Sequence, residues 1–407
     1  KRNRKTKIKK FTMKAEEIKE MFSQYSLNTY KRVGPVFTKG KGSFLWDSEG
    51  RKYLDLFPGW GVSILGHCHP KIVKAIKEQA KKLIHLPNNL FQEEQVFLAK
   101  KIVEKTFPAK VFFANSGAEA IEGAIKLTRL YGKESGRYEV ITMKNSFHGR
   151  TFGALSATGQ AKYKEPFQPI LPGFREAEFN NFESFKSQVN VKTVAVMLEL
   201  IQGEGGVNIA SKEYVKNLSE FCKANKLLLI VDEVQTGMAR TNNLFCYQNY
   251  DITPDAFVVS KGLGAGVPIS AFVVKDELAH FFQPGLHAST FGGSPLVTKV
   301  SLEVFKIIEE EKILENTKNM GDYLLESLNK LKNRFSFVKE ARGVGLMTAL
   351  ELHIDSFPIF MKAMEEGLII NSTHGTVLRI MPALNVKRAE LDKGIRILTR
   401  VLKTIKY

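Results

Sequence analysis

The sequence of 407 residues predicts an α/β fold built on a largely parallel sheet. Two short apolar runs carry this prediction: residues 227–231, which lead into Asp232, and residues 255–260, which lead into Lys261. Such runs between turn signals are typical of strands buried on both faces. From residue 110 onward the pattern alternates strand, loop and helix, as parallel sheets require. Ligands of such sheets bind beyond the carboxyl ends of the strands, so we expect Asp232 and Lys261 to face one pocket.

The composition is that of an ordinary globular protein, with 43% hydrophobic and 25% charged residues. The length is sufficient for two domains with cores of their own. No apolar run approaches the roughly 18 residues that a membrane span needs. The three cysteines, Cys68, Cys222 and Cys246, are odd in number and scattered. This pattern argues against a disulfide framework and favours a reducing, cytoplasmic compartment.

The formal net charge of +18 is partly explained by the first ten residues, of which seven are basic and none is acidic. A basic run of this kind could bind nucleic acid or an anionic surface, but it is more often a disordered tail. It lacks the apolar region of a signal peptide and the serine-rich pattern of a transit peptide. We therefore expect residues 1–12 to be a functionally silent tail and nucleic acid not to be a partner.

Turn and strand signals dominate the segment before residue 70. Glycine-containing turns at 39–43 and 47–50 flank short apolar stretches, which predicts a hairpin. The following His67-Cys68-His69 triplet suggests a metal site, but neighbouring residues on an extended chain point to opposite faces. No second cluster with zinc-ligand spacing occurs in the sequence. We expect a turn before the helix near Lys71 and no metal.

Further polar clusters follow the other predicted strands. Residues 110–114 lead into Ser116, Gly117 and Ala118 at the start of a helix, where free N–H groups favour a phosphate. An N-capping serine is the simpler alternative for Ser116. Two more strands lead into the segment 147–150 and into Glu199. At least five strands therefore direct polar or aromatic residues towards one edge of the sheet.

A lysine and an acid at neighbouring strand ends suit a particular cofactor. A lysine in a partly apolar pocket has a lowered pKa and can form a Schiff base with an aldehyde. Pyridoxal phosphate needs such a lysine, an acid at its ring nitrogen and a phosphate cradle. The alternative is that Lys261 caps a strand and Asp232 opens a helix, without further function.

The ordered motifs resemble those of the class III pyridoxal-phosphate aminotransferases, and among them most closely the acetylornithine aminotransferases. The resemblance extends from about Tyr30 to the C-terminus and rests on residues 115–120, 147–150, 199–206, 232–237, 260–261 and 289–293. It implies fold type I: a large domain with a mostly parallel seven-stranded sheet, a small α/β C-terminal domain, and a homodimer with shared active sites. The implied boundaries are 13–65 for an N-terminal segment packing with the small domain, 66–298 for the large domain and 299–407 for the small domain.

The resemblance also implies roles for the cofactor residues. Lys261 would hold the cofactor aldehyde and transfer the substrate proton, and Asp232 would pair with the ring nitrogen. Phe147 would stack on the ring, Gln235 would reach the ring hydroxyl, and His148 would belong to the same cofactor site. The phosphate would be bound by Ser116, Gly117 and Ala118, with Thr290 contributed by the partner subunit.

The implied substrate residues are Arg150, Glu199, Arg379, Trp60 and Ser289. Arg150 resembles the arginine that binds the substrate carboxylate farthest from the reacting amine. Glu199 and Arg379 resemble a switch pair, in which the acid neutralises Arg379 until 2-oxoglutarate binds. The alternative is that these two residues form a fixed structural ion pair.

The implied reaction is transfer of the terminal amino group of N-acetylornithine to 2-oxoglutarate. Two positions depart from the family pattern: Leu200 replaces a usual proline, and Trp60 replaces a usual small aliphatic residue. An aromatic residue at position 60 resembles the ornithine aminotransferases. Ornithine, 4-aminobutyrate, succinyldiaminopimelate and mutase reactions therefore stay open, as does a non-catalytic binding or regulatory protein of the same fold.

Overall fold

The structure, a computed structural model, describes residues 13–407, so the predicted tail at 1–12 lies outside the described residues. Its α-helices are α1 Ala15–Tyr25, α2 Pro70–Gln79, α3 Glu93–Glu104, α4 Gly117–Gly132, α5 Phe152–Ala157, α6 Ala161–Lys164, α7 Phe182–Gln188, α8 Lys212–Asn225, α9 Pro295–Glu310, α10 Ile313–Arg334, α11 Phe357–Glu365 and α12 Arg388–Lys403. Its strands are β1 Phe37–Lys41, β2 Phe44–Asp47, β3 Lys52–Asp55, β4 Ala109–Ala114, β5 Glu139–Met143, β6 Phe174–Ala177, β7 Thr193–Leu198, β8 Ile201–Gln202, β9 Asn208–Ile209, β10 Leu228–Asp232, β11 Ala256–Val259, β12 Ser270–Lys275, β13 Val338–Val344, β14 Met347–Leu352, β15 Leu368–Ile369, β16 Asn371–Thr373 and β17 Val377–Ile380.

A seven-stranded sheet in the order β4-β12-β11-β10-β7-β5-β6 forms the centre of the molecule. All its strands run in one direction except β12, which is antiparallel to both of its neighbours. The predicted α/β fold with a mostly parallel seven-stranded sheet is therefore confirmed. Register places Asp232 beside Val258, and Val231 beside Leu198, so the ends of β7, β10 and β11 lie at one level.

Apolar layers cover both faces of this sheet, as its uniformly hydrophobic strands require. On one face α4 packs on β11 and β12 and buries Ile121 and Ile125. The other face continues without interruption into the core of the C-terminal sheet, in which Leu350 and Leu378 are fully buried. Within the described residues, no helix combines the length and the apolar character that a membrane crossing requires.

Two smaller sheets complete the architecture. Strands β1, β2 and β3 form the predicted antiparallel hairpins, and β3 also pairs in parallel with β15 from the C-terminal part. The C-terminal sheet has the order β13-β14-β17-β16 and is antiparallel throughout. Residues 299–407, predicted as a small α/β domain, contain both helices and strands, whereas the domain boundaries stay a prediction.

The chain returns from β11 to β12 at the carboxyl edge of the sheet. Because β12 is antiparallel to β11, the connecting residues 260–269 leave and re-enter the sheet at the same edge. The Ser260 hydroxyl donates a hydrogen bond to the Ile269 carbonyl at 2.9 Å and closes the base of this return. The return carries Lys261.

The turn of the β13–β14 hairpin connects the C-terminal sheet to the loop after β10. The Leu346 N–H donates to the Arg240 carbonyl at 3.1 Å, and Arg240 Nη1 donates to the Leu346 and Pro382 carbonyls at 3.0 and 2.6 Å. On its other side this turn packs against α10. A Cβ atom on Gly321 would lie 2.4 Å from the Gly345 oxygen, so only glycine permits this approach.

We expect Gly321→Ala to lower the free energy of unfolding by about 2 kcal/mol, because helix and turn must separate to admit the methyl group. Urea denaturation followed by circular dichroism measures this change. Asn319→Ala, at an exposed position of the same helix, is the matched control and should change the value by less than about 0.5 kcal/mol. Equal stability of the two variants would contradict the close packing of α10 on the turn.

Candidate active site

A cavity of ≈ 460 Å³ opens at the carboxyl edge of the seven-stranded sheet. The structure brings together at this cavity most of the residues that the sequence singled out: Ser116, Gly117, Ala118, Phe147, His148, Arg150, Glu199, Asp232, Gln235 and Lys261. They come from the ends of β4, β5, β7, β10 and β11. The convergence follows from the common direction of these strands.

Lys261 follows β11 by two residues and is half-buried in the cavity wall. Its backbone has φ +41°, in the left-handed region that a non-glycine residue rarely adopts. Burial lowers the pKa of the Lys261 amine, although the Glu204 carboxylate acts in the opposite direction. A lysine with a lowered pKa is the kind of amine that reacts with aldehydes.

Asp232 is buried at the end of β10 and both of its oxygens accept hydrogen bonds. Oδ1 accepts from the Val234 N–H at 2.9 Å, and Oδ2 lies 2.8 Å from His148 Nδ1. Burial alone would lower the pKa of His148, but the hydrogen bond to Asp232 and the charge of Asp232 outweigh it and raise that pKa. His148 Nε2 is buried without a partner among the described residues. A carboxylate fixed in this way can hold a proton on a ring nitrogen in the cavity.

The N-terminus of α4 borders the same cavity. Ser116 caps the helix, accepting from the Glu119 N–H at 3.3 Å, while Glu119 accepts from the Ser116 N–H at 2.9 Å. The N–H groups of Gly117 and Ala118 in the first turn have no carbonyl partner within the helix. A Cβ atom on Gly117 would lie 2.9 Å from the Val234 side chain, so the glycine lets the loop after β10 approach closely. The capping role and an anion-binding role are compatible here.

Phe147 and Arg150 extend from the loop after β5. Arg150 is exposed, and its Cζ lies 4.0 Å from the ring centroid of Tyr163 and 5.4 Å from that of Phe147. The two rings meet edge to face at 6.0 Å. Tyr163 could not be identified from the sequence, because a tyrosine in a short helix carries no motif of its own.

The predicted pairing of Glu199 with Arg379 is wrong. Glu199 is buried, and its oxygens accept from the Phe147 N–H at 3.0 Å and the Gly203 N–H at 3.1 Å. Burial raises the pKa of Glu199 to about 7, with His148 acting against that rise. Its side chain therefore joins two loops of the site.

Arg379, fully buried on β17, pairs instead with Glu204. Its Nη2 lies 2.9 Å from Glu204 Oε1, Nη1 donates to Gln235 Oε1 at 2.8 Å, and Nε donates to Asn371 Oδ1 at 3.2 Å. Burial would raise the pKa of Glu204, but the charges of Arg379 and Lys261 lower it below its usual value. Glu204 lies in the same 199–206 motif as Glu199. The glycines on either side of Glu204 are the sequence signal for a turn, and this turn is the part of the motif that reaches Arg379.

Three other predicted residues do not line the cavity. Trp60 is 51% exposed with φ +55°, and its ring contacts the Phe57 ring at 5.9 Å. Ser289 and Thr290 line a separate cavity of ≈ 380 Å³ beside Asn115, and Ser289 Oγ accepts from Asn115 Nδ2 at 3.3 Å. An exposed Thr290 outside the cavity is compatible with the predicted contribution from a partner subunit, which stays a prediction.

The His67-Cys68-His69 turn divides its histidines between two acids. His67 Nε2 lies 2.8 Å from Asp55, and His69 Nε2 lies 3.4 Å from Glu311. Across residues 13–407, no three His, Cys, Asp or Glu side chains are grouped as a metal ion would require.

The residues of the cavity fit pyridoxal phosphate. The cavity offers an amine with a lowered pKa, a buried acid, an aromatic face at Phe147 and a helix N-terminus for the phosphate. The unpartnered Nε2 of His148 adds a polar atom beside Asp232. Asp232 and Lys261 would hold opposite ends of the ring system, and α4 would receive the phosphate.

Comparison with known proteins places the chain in a family. The profile described as Aminotransferase class-III matches residues 25–402. The acetylornithine aminotransferase of Caldanaerobacter subterraneus subsp. tengcongensis is 48% identical over 94% of this chain and 98% of its own length. That of Methanocaldococcus jannaschii is 43% identical over 97% of this chain and 100% of its own length.

Solved structures have the same fold. The ornithine aminotransferase of Toxoplasma gondii superposes with a TM-score of 0.92 at 32% identity, covering 96% of each chain. A second structure of that enzyme, with a TM-score of 0.92 at 31% identity over 97% of this chain and 96% of its own, has pyridoxal phosphate at partial occupancy in its active site. The chain described here belongs to the class-III aminotransferases, which are pyridoxal-phosphate-dependent enzymes.

Proposed function

We propose that this enzyme transfers the terminal amino group of N-acetylornithine to 2-oxoglutarate, giving N-acetylglutamate semialdehyde and glutamate. The observation that carries the proposal is the pair of arginines at the site, of which Arg379 is neutralised by Glu204 and Arg150 is not paired with any described carboxylate. The relatives named acetylornithine aminotransferase, at 43–48% identity in the two cases above, support the choice of donor.

The proposed chemistry assigns work to three side chains. Pyridoxal phosphate, when bound, supplies an electron sink for the negative charge left on the substrate carbon when its proton is removed. Lys261 would hold the cofactor and then move this proton with its amine. Asp232 would keep a proton at the ring nitrogen, and His148 Nδ1 holds Asp232 in position. The lowered pKa of Lys261 favours the unprotonated amine that both tasks require.

The two arginines would distinguish the two substrates. Arg150 would bind the α-carboxylate of the amine donor, and later the distal carboxylate of 2-oxoglutarate. Glu204 would neutralise the charge of Arg379 while the donor is bound, because the reacting end of the donor has no carboxylate that could pair with Arg379. When 2-oxoglutarate binds, Arg379 would leave Glu204 and take the α-carboxylate.

Free ornithine is the second candidate donor. The aromatic Trp60 contacts Phe57, whose ring centroid lies 4.8 Å from the Arg379 Cζ atom, so an aromatic pair borders the Arg379 side of the site. The T. gondii structures are those of an ornithine aminotransferase, and the first of them covers 96% of this chain, which supports ornithine as the second candidate. Measuring kcat/KM for a panel of amine donors, with 2-oxoglutarate as acceptor, decides between N-acetylornithine and ornithine. A higher kcat/KM with ornithine than with N-acetylornithine would overturn the proposed donor.

We also infer a cytoplasmic homodimer in which Thr290 of each subunit reaches the phosphate site of the other. Helix α1 has no buried residue although Met21 and Phe22 are apolar, which supports burial of this helix by a second copy. The pairing of β3 with β15 supports an N-terminal segment at 13–65 that packs with a C-terminal domain at 299–407, leaving 66–298 as the large domain.

Lys261→Ala should abolish turnover, because no other amine would hold the cofactor or move the proton. Borohydride reduction followed by mass spectrometry should find the cofactor on the wild-type chain and not on the variant. Lys192→Ala, at an exposed lysine far from the cavity edge, is the control and should keep both properties. Covalent cofactor on the Lys261→Ala chain would contradict the assignment.

Arg150→Ala should slow both half-reactions by about 100-fold, equivalent to about 3 kcal/mol of lost carboxylate binding. Arg379→Ala should slow mainly the 2-oxoglutarate half-reaction, and Glu204→Gln mainly the donor half-reaction, because it leaves Arg379 uncompensated. Stopped-flow absorbance of the cofactor measures each half-reaction alone. If Arg379→Ala slowed both halves equally, the Glu204–Arg379 pair would be only structural.

Mixing two defective variants at a limiting cofactor concentration tests the shared active site. Thr290→Ala should weaken cofactor binding and Lys261→Ala should be inactive, each as a homodimer. In a mixed dimer, the subunit that retains Lys261 receives Thr290 from its partner. Random mixing should then restore intact sites to roughly a quarter of the wild-type number. Absence of any recovery after denaturation and joint refolding, with wild-type protein refolded as control, would contradict the exchange of Thr290.

A further inference from the structure

The contacts of Arg150 are aromatic. Within residues 13–407 no carboxylate lies within ion-pair distance of its guanidinium, which instead lies 4.0 Å from the Tyr163 ring centroid and 5.4 Å from the Phe147 ring centroid. An acid partner would hold the guanidinium but would also occupy the donors that a substrate carboxylate needs. An aromatic face holds it through the ring charge distribution and leaves its N–H groups available.

Tyr163 is fixed relative to the loop that carries Arg150. The buried Gln160 side chain donates from Nε2 to the Asn145 and Ser146 carbonyls at 3.3 and 3.2 Å. The Tyr163 N–H donates to the Gln160 carbonyl at 3.1 Å.

A second set of hydrogen bonds joins the same two segments. The Gly159 N–H donates to Ser146 Oγ at 3.0 Å, and the Asn145 N–H donates to the Gly159 carbonyl at 2.8 Å. The segment that carries Tyr163 and the loop that carries Arg150 are therefore joined by hydrogen bonds into one unit.

The Tyr163 ring, and not its hydroxyl, makes these contacts. The hydroxyl has no hydrogen-bond partner among the described residues, whereas the ring contacts Arg150, Phe147 and Lys162, whose Nζ lies 4.9 Å from the centroid. Two cations on one ring give the surroundings of Arg150 a positive charge that attracts anions.

We propose that Tyr163 is a positioning residue for substrate carboxylates: its ring holds the Arg150 guanidinium in place with its N–H donors free. This inference rests on the proposed role of Arg150 as the carboxylate-binding residue. It adds a determinant of affinity that both substrates share, because Arg150 meets a carboxylate in each half-reaction.

The test uses the cofactor-loaded enzyme and glutarate, a dicarboxylate with no amine or keto group and hence no reaction. Tyr163→Leu should weaken glutarate binding, measured by calorimetry, about fivefold. The KM values for the amine donor and for 2-oxoglutarate should rise by similar factors while kcat changes less than about threefold, as expected for a loss of uniform binding. Tyr163→Phe, which keeps the ring, should restore wild-type values, and Tyr163→Met replaces the leucine variant if that one does not fold.

Arg150→Ala separates the inference from the proposed function. If Arg150→Ala leaves glutarate affinity unchanged, Arg150 does not bind carboxylates and both ideas fail. If Arg150→Ala weakens glutarate binding but Tyr163→Leu does not, the inference alone is overturned.

In the Arg150→Ala background, Tyr163→Leu should change the glutarate affinity by less than about twofold, because the two residues act together. A lower kcat with reduced cofactor absorbance at unchanged KM would assign Tyr163 to support of Phe147 and overturn the inference.

Discussion

The hydrogen bond between Asp232 and His148 is the interaction on which the site depends. A buried carboxylate is costly unless its charge is compensated by hydrogen bonds and opposite charge. Here Val234 N–H satisfies one oxygen and His148 satisfies the other, and the raised pKa of His148 allows the ring to carry the compensating charge. The acid is therefore held in a fixed orientation at the end of β10, which an exposed aspartate would not be.

Much of the fold could be predicted because its signals are local. Buried parallel strands have continuous apolar runs, and residues that follow such runs must meet at one edge of the sheet, so Asp232, Lys261 and Ser116 could be assigned to one pocket. The partner of Arg379 could not be predicted in this way. Glu199 and Glu204 lie five residues apart on either side of the short strand β8, and the path of the chain there decides which one reaches β17. Glu199 turns inward because the Phe147 and Gly203 N–H groups bind it.

The three arginines of the site region illustrate three ways of accommodating a guanidinium. Arg379 is buried beside an acid and two amide oxygens. Arg240 is buried with carbonyl partners alone, and burial lowers its pKa to about 9. Arg150 stays exposed on aromatic rings. A buried guanidinium bound by carbonyls serves packing between the C-terminal sheet and the loop after β10, whereas the exposed one keeps its donors for a ligand.

The antiparallel direction of β12 has a consequence for how the chain tolerates changes of length. Residues 260–269 begin and end at the same edge of the sheet and are closed by the Ser260–Ile269 hydrogen bond. Because both ends of this segment are fixed, an inserted or deleted residue must be accommodated within the segment itself. It would rotate Lys261 out of its left-handed backbone conformation and away from Asp232. Connections at the opposite edge of the sheet do not carry Lys261. Engineered insertions such as tags or fused domains therefore belong at that opposite edge, where the position of the lysine does not depend on loop length.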